Sequence, residues 1–169
     1  MLIIFGGLPG SGKTTTAQAL AKRLKAVYVR VDTIEQALRN SDVLKADEGP
    51  AGYMIAYGVA EDNLKLGRTV VADSVNSIRI TRDAWLSVAK RAGTQAVEVE
   101  VICSDKAEHR RRVETRKTDV EGLVKPTWEK TVNRSYDDWG THPIVVDTAH
   151  KSVEALIAEL IVRLAPNQK

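Results

Sequence analysis

The chain is 169 residues long, 43% hydrophobic and 28% charged, which fits a single globular domain spanning residues 1–169 and gives no sign of a disordered or fibrous chain. Its net charge of +3 suits small anionic ligands and is too weakly basic to argue for a nucleic-acid scaffold. A lone cysteine, Cys103, excludes an internal disulfide, and no signal peptide or long apolar run is present, so the expectation is a cytoplasmic protein with no membrane partner.

The first predicted strand, LIIF (2–5), breaks at once into Gly7-Leu8-Pro9-Gly10-Ser11-Gly12-Lys13-Thr14, which fits G-x-x-x-x-G-K-[ST] at every fixed position. A helix is predicted over 13–25, so the loop sits between strand and helix, the context the motif requires. Glycines let the main chain curl with its N–H groups inward, an anion nest at a helix N-terminus. Lys13 offers a point charge to the β- and γ-phosphates, and the Thr14 hydroxyl is placed to ligate Mg2+. Together with Thr15, these residues are the expected contacts for a nucleoside triphosphate, ATP foremost.

A second strand, AVYVRV (26–31), runs into Asp32 and a helix over 33–40. Asp32 is the candidate general base for an acceptor hydroxyl. D-T-I-E also offers a helix cap with Glu35 in a capping box, and one residue can do both. The helix over 51–66 carries Tyr53 and Tyr57 four residues apart, either lining an acceptor pocket near Asp32 or packing in the core. TVVAD (69–73) is the third strand. Asp73 closes it in the manner of a Walker B carboxylate that holds Mg2+, the alternative being a solvated strand end.

After a helix over 82–92 comes AVEVEVIC (96–103), whose polar alternation suggests a strand nearer a sheet edge. The helix over 105–116 contains Arg110, Arg111, Arg112 and Arg116. Arg112 and Arg116 share a face, and their guanidiniums suit phosphate oxygens and the charge of a transferring phosphoryl group. The competing reading is a solvated basic face paired with Glu108 and Glu114. Residues 110–127 end in the irregular run TRKTDVEGLVKPT and form the candidate lid over ATP. Aromatic residues are too sparse beside the arginines to favour nucleic-acid binding.

A helix is predicted over 127–138, where Trp128, Arg134, Tyr136 and Trp139 either pack or present a substrate platform. PIVVD (143–147) is the fifth strand, and VEALIAELIVRL sets an amphipathic stripe for a final helix over 152–164. Strands alternating with helices imply an α/β fold, a mostly parallel sheet with helices on both faces and ligands at the carboxyl ends of its strands. His109, His142 and His150 show no ligand spacing, so zinc is not expected and magnesium is the one metal implied.

No N-K-x-D guanine-reading tetrad occurs, and at 169 residues the chain is not expected to carry the second domain of remodelling ATPases. GLPGSGKTT, VDTIEQAL, VVADSVN, HRRRVETR and PIVVDT resemble, in order, the blocks of a group of small P-loop kinases. That group includes chloramphenicol phosphotransferase, the kinase part of polynucleotide kinase and the zeta-type toxin kinases. The resemblance implies a P-loop NTPase fold, a three-layer αβα arrangement with five parallel strands in the order 2-3-1-4-5, and the aspartate after strand two as base. It also implies acceptor or phosphate contacts from Asn76 and Arg82, and weak nucleotide contacts from Thr148 and Lys151. Several relatives carry arginine where this chain has Glu35, which removes a substrate-phosphate contact expected there and argues against polynucleotide or nucleoside monophosphate acceptors. The resulting expectation is a Mg2+- and ATP-dependent kinase acting on a hydroxyl of a small molecule. Nucleotide or polynucleotide kinase activity, drawing on Arg30, Arg39 and Arg82, and an ATP-driven switch are the alternatives.

Overall fold

The computed structural model describes residues 1–41, 49–117, 120–122, 124–140 and 143–165. Along them run β1 (Leu2–Gly6), α1 (Lys13–Leu24), β2 (Val27–Arg30), α2 (Val31–Asn40), α3 (Ala51–Lys65) and β3 (Val70–Asp73), followed by α4 (Arg79–Arg91), β4 (Ala96–Ile102), α5 (Lys106–Thr115), α6 (Trp128–Val132), β5 (Ile144–Asp147) and α7 (Val153–Leu164). The strands form one parallel sheet in the order β2-β3-β1-β4-β5. No described helix is long and apolar enough to cross a membrane.

β1 lies at the centre and every residue of it is buried. Leu2 and Ile4 point to one face, where they meet Val70, Ala72, Ala56 and Ala60 of α3, and Trp85 and Val88 of α4. Ile3 and Phe5 point to the other, against Ala17 and Leu20 of α1 and Leu156 and Leu160 of α7. Two covered faces explain why LIIF and TVVA show no polar alternation.

Strand β4 lies next to the edge strand β5, as its alternation suggests, but the alternation has a further cause. It is not an edge strand, because it pairs with both β1 and β5. Val99 and Val101 face the α1–α7 side. Glu98 and Glu100 stand beside Ile4 and Gly6 on the other face, where a coil rather than a helix covers β4.

That coil is part of what reads as a helix over 127–138. Only Trp128–Val132 is helical. Beyond it the backbone is committed elsewhere. The Asp137 N–H donates to Ser77 O at 2.7 Å, and the Asp137 and Asp138 carbonyls accept from the Arg82 guanidinium. Trp139, 7% exposed, lies so close over Gly6 that a Cβ there would overlap its ring. The tryptophan N–H donates to Tyr136, and the Tyr136 hydroxyl donates to Glu100. Trp139 and Tyr136 therefore pack the coil onto the sheet.

At α5, Asp105 supplies the N-cap, its carboxylate accepting from Ala107 N at 2.9 Å and Glu108 N at 3.0 Å. Asp105→Ala is expected to lower Tm by about 2–4 °C while Asp105→Asn largely retains it, as differential scanning calorimetry would show.

Candidate active site

The phosphate loop joins the carboxyl end of β1 to α1 and holds its curl through left-handed glycines. Gly7, Gly10 and Gly12 have φ of +146°, +81° and +91°. Space is short as well as φ unusual. A Cβ on Gly10 would stand 2.5 Å from Val113 Cγ2 of α5. Gly10→Ala is expected to cost about 1–3 kcal/mol and to weaken ATP binding, with partial recovery in Gly10→Ala/Val113→Ala, measured by thermal unfolding and nucleotide titration.

A cavity of about 800 Å³ opens at the carboxyl ends of the strands. Leu8, Pro9, Gly10, Gly12, Lys13, Thr14 and Thr15 line its nucleotide half. Gly7 and Ser11 do not line it. They turn toward the sheet, where Gly7 N donates to Val75 O and a Cβ on Gly7 would overlap Val101 O. Their role is to shape the loop.

Lys13 and Asp73 meet behind the loop. Lys13 Nζ lies 2.5 Å from Asp73 Oδ1, with side-chain exposures of 8% and 0%. The Tyr28 hydroxyl donates to the other carboxylate oxygen at 2.6 Å. Burial pushes the Asp73 carboxyl up, but the Lys13 ammonium and hydrogen bonds from Lys13, Tyr28 and Thr14 outweigh it and hold the group below the usual carboxylate range. Burial foremost, and then the Asp73 charge, push the Tyr28 hydroxyl up, so it stays a donor. Asp73 is not among the cavity-lining residues and both its oxygens are engaged, by Lys13 and Tyr28, so it forms with the Thr14 hydroxyl the all-oxygen pair that Mg2+ takes only if Lys13 moves off it.

The arginine-rich helix divides. Arg110 pairs with Glu114 on the exposed face. Arg112 turns inward and donates to Glu108 Oε1 at 2.6 Å, Thr148 Oγ1 at 2.7 Å and Thr148 O at 3.1 Å. Thr148 also donates to Ser11 O at 2.7 Å, so Arg112 ties α5 to the loop after β5 and to the phosphate loop. Arg112, Arg116, Thr148 and Lys151 all line the cavity, and Lys151 also reaches Glu159 at 3.0 Å. His150 stands between the Asp105 and Glu108 carboxylates at 2.9 and 3.5 Å, a grouping that histidine spacing alone does not reveal.

On the acceptor half, Arg30, Asp32, Glu35, Tyr53 and Val75 line the same cavity. The expected capping box is absent. α2 starts at Val31, directly after β2, and Arg30 occupies the N-cap position without a side-chain capping hydrogen bond. Asp32 thus lies in the first turn, 31% exposed, with Arg30 at 3.8 Å, and is left to face the cavity. Glu35 pairs instead with Arg39 at 3.6 Å and lies across Gly52 of α3. Burial raises the Tyr53 hydroxyl above its usual value, opposed by hydrogen bonds at Ser74 and Asn76. Tyr57 belongs to the core, its ring edge-on to Trp85 at 4.6 Å.

Two expected acceptor contacts lie elsewhere. Asn76 is fully buried and donates to Phe5 O at 2.7 Å. Arg82, 4% exposed, donates to the Asn76, Asp137 and Asp138 carbonyls and lies 4.7 Å above the Trp139 ring. Neither residue is among the cavity-lining residues. Arg82 anchors the coil after α6, and Asn76 ties the loop after β3 to β1.

Of the candidate lid, residues 118, 119 and 123 lie outside the described set. Its described parts span the cleft. Lys125 Nζ donates to Arg116 O at 2.8 Å, and Gly122 comes close enough to α2 that a Cβ would stand 2.9 Å from Gln36 Nε2.

Two further residues hold the site together. His109 Nε2 contacts Pro9 O at 2.8 Å, and its ring is edge-on to Trp128 at 5.2 Å. Tyr28 is the other. Its place on β2, two residues before Arg30, puts it on the sheet face that bears Asp73. That alternation is readable in VYVR, whereas the His109 contact joins residues 100 apart and has no local signal.

A family profile described as an AAA domain matches residues 2–132. APS kinase CysC of Mycobacterium tuberculosis, in complex with AMPPNP and APS, superposes with a TM-score of 0.73 at 19% identity, over 98% of this chain and 97% of that one. Kti12 of Chaetomium thermophilum, in complex with ADP-AlF3, gives 0.69 at 22% identity, over 98% and 100%. A gluconokinase of Sinorhizobium meliloti gives 0.61 at 18% identity, over 96% and 94%. No curated protein sequence matches the chain. At these identities the structural likeness is one of fold.

Proposed function

Because this chain belongs to the AAA domain family matched over residues 2–132, and its fold is P-loop kinase-like, we propose that it is an ATP- and Mg2+-dependent phosphotransferase acting on a hydroxyl of a small molecule. One observation carries the reading. The cavity that begins at the phosphate loop continues to Asp32, with room beyond the loop for a second reactant. A switch that hydrolyses ATP needs only to place water.

In this reading the loop amides and Lys13 hold the phosphates, and Thr14 with Asp73 holds Mg2+. Bound there, the ion neutralises charge on the β- and γ-phosphate oxygens. Lys13, which rests on Asp73, gains a more highly charged partner when a triphosphate enters. Asp32 accepts the acceptor's hydroxyl proton as the oxygen forms its bond to the γ-phosphorus, and the bond from that phosphorus to the β-phosphate oxygen breaks to leave ADP. Arg112 and Arg116 balance charge on the departing phosphates.

The test is acceptor-dependent ADP release from MgATP across a panel of hydroxyl compounds. At least one is expected to accelerate release well above the rate with water. Release that every compound leaves unchanged would remove the transferase reading.

A further inference from the structure

We propose that the acceptor is an anionic alcohol, with a carboxylate or phosphate held by Arg30, Lys130 and Arg134, cavity-lining cations outside the phosphate loop. The proposal rests on the transferase reading and narrows it. Its basis is where the charge lies. Among the described residues, nine Lys and Arg line this cavity against two acidic residues, Asp32 and Glu35, and of the nine Lys13, Arg112 and Lys151 are paired with Asp73, Glu108 and Glu159. A net charge of only +3 conceals this concentration.

ATP does not use all of that charge. Its triphosphate carries about −4 at neutral pH, and a Mg2+ held by the loop would offset half of it. Lys13, Arg112, Arg116 and Lys151 surround the nucleotide half, together with the loop's amides. Arg30, Lys117, Lys125, Lys130 and Arg134 are additional cations lining the same cavity. Lys125 is engaged with the Arg116 carbonyl. Arg30 is the best placed of the rest. It ends β2 beside Asp73, its side chain is 9% exposed, and it lies 3.8 Å from Asp32. A guanidinium desolvated to that degree beside the candidate base favours an oxyanion on the molecule that the base activates.

Lys130 and Arg134 line the cavity from α6 and the coil that follows it. α6 carries Lys130, and the coil after it is anchored by the Asp137 N–H on Ser77 O and by the Arg79 N–H on the Asp137 carboxylate. The loop after β3 thus fixes the coil three residues beyond Arg134, next to Val75 of the cavity wall. Glu35 is itself paired with Arg39 at 3.6 Å, as Arg30 is with Asp32 at 3.8 Å.

The test uses the full chain saturated with Mg2+ and AMPPNP, so that the phosphate loop is filled. Inorganic phosphate and gluconate are titrated calorimetrically as probes of the two oxyanion chemistries. Saturable binding of one of them is expected, weakened at least tenfold in Lys130→Ala/Arg134→Ala, with AMPPNP affinity measured alongside and changed less than threefold. A second arm compares ADP release with matched acceptors: glycerol, glycerate and glycerol 3-phosphate, then glucose, gluconate and glucose 6-phosphate. An acidic member should exceed its neutral parent at least 100-fold in kcat/KM. A neutral parent that matches or beats its acids overturns the proposal and leaves the transferase reading standing. So does the absence of any anion binding to the AMPPNP-filled protein. Anion binding that depends on Lys130 and Arg134, without acceptor-stimulated ADP release, keeps the anion site and sinks phosphoryl transfer.

Discussion

Asp32→Asn is expected to lower acceptor phosphorylation by about 10²–10⁴ in kcat while leaving ATP affinity within about twofold. The amide matches the carboxylate in shape but cannot take the acceptor's proton. Its position allows a clean measurement. Asp32 is not a cap, since Arg30 holds that position, so no helix-terminal hydrogen bond is lost. What changes is a first-turn charge near the helix dipole and a 3.8 Å contact with Arg30, about 0.3–1 kcal/mol at such a site. Steady-state kinetics varying each substrate, with AMPPNP titration and thermal unfolding alongside, separate the effects. Unchanged transfer with a lowered Tm would make Asp32 a helix-stabilising charge and return the base to an unidentified group. Asp32→Glu, which keeps the carboxylate on a longer arm, should recover part of the rate, whereas a purely structural role predicts no such recovery.

How much of this was legible in the sequence depends on the range of the interactions. The phosphate loop is local, with glycines, lysine and threonine within eight residues, and its place between β1 and α1 follows from the same stretch. The strand order follows from a resemblance spread across the whole chain. Legibility falls where a residue's partner is distant in sequence. Asn76 and Arg82 look like acceptor contacts because they are polar and near the end of β3. Only the folded chain shows their hydrogen bonds spent on Phe5, Asp137 and Asp138. The tail of the predicted 127–138 helix fails for the same reason, its backbone groups being claimed by Ser77 and Arg82. In β4 the alternation is real but its cause is a coil lying over Glu100, which a pattern of period two cannot separate from solvent. Asp32 is the instructive case. An error of two residues in the start of α2 turns a cavity-facing carboxylate into an apparent cap, and element boundaries are what local patterns resolve least.

Lys13→Ala is expected to remove ATP binding and turnover together, and also to destabilise the protein before any nucleotide is present. Breaking a buried ion pair by deleting one partner costs about 3–5 kcal/mol, because the other charge is left desolvated. Asp73 keeps hydrogen bonds from Tyr28 and Thr14, which places this loss toward the lower end of that range. The pH dependence gives the effect a signature. With Lys13 present the Asp73 carboxyl is depressed, so its stabilising contribution is in place above its unfolded value of about 3.9 and is lost as pH falls through the folded value. With Lys13 gone, burial is the largest influence remaining and the carboxyl rises. Its penalty then grows as pH climbs through the raised value and vanishes on acidification, so the stability gap between the two proteins should narrow from pH 7 toward about pH 4. Lys13→Ala/Asp73→Asn removes the stranded charge. It should regain most of the lost stability in denaturant titration and none of the ATP turnover, because the point charge for the phosphates and the carboxylate for Mg2+ are both missing. A single variant as stable as the parent at pH 7 would mean that water reaches Asp73 and that the pair contributes little. A double variant that regained turnover would remove both residues from the phosphate site.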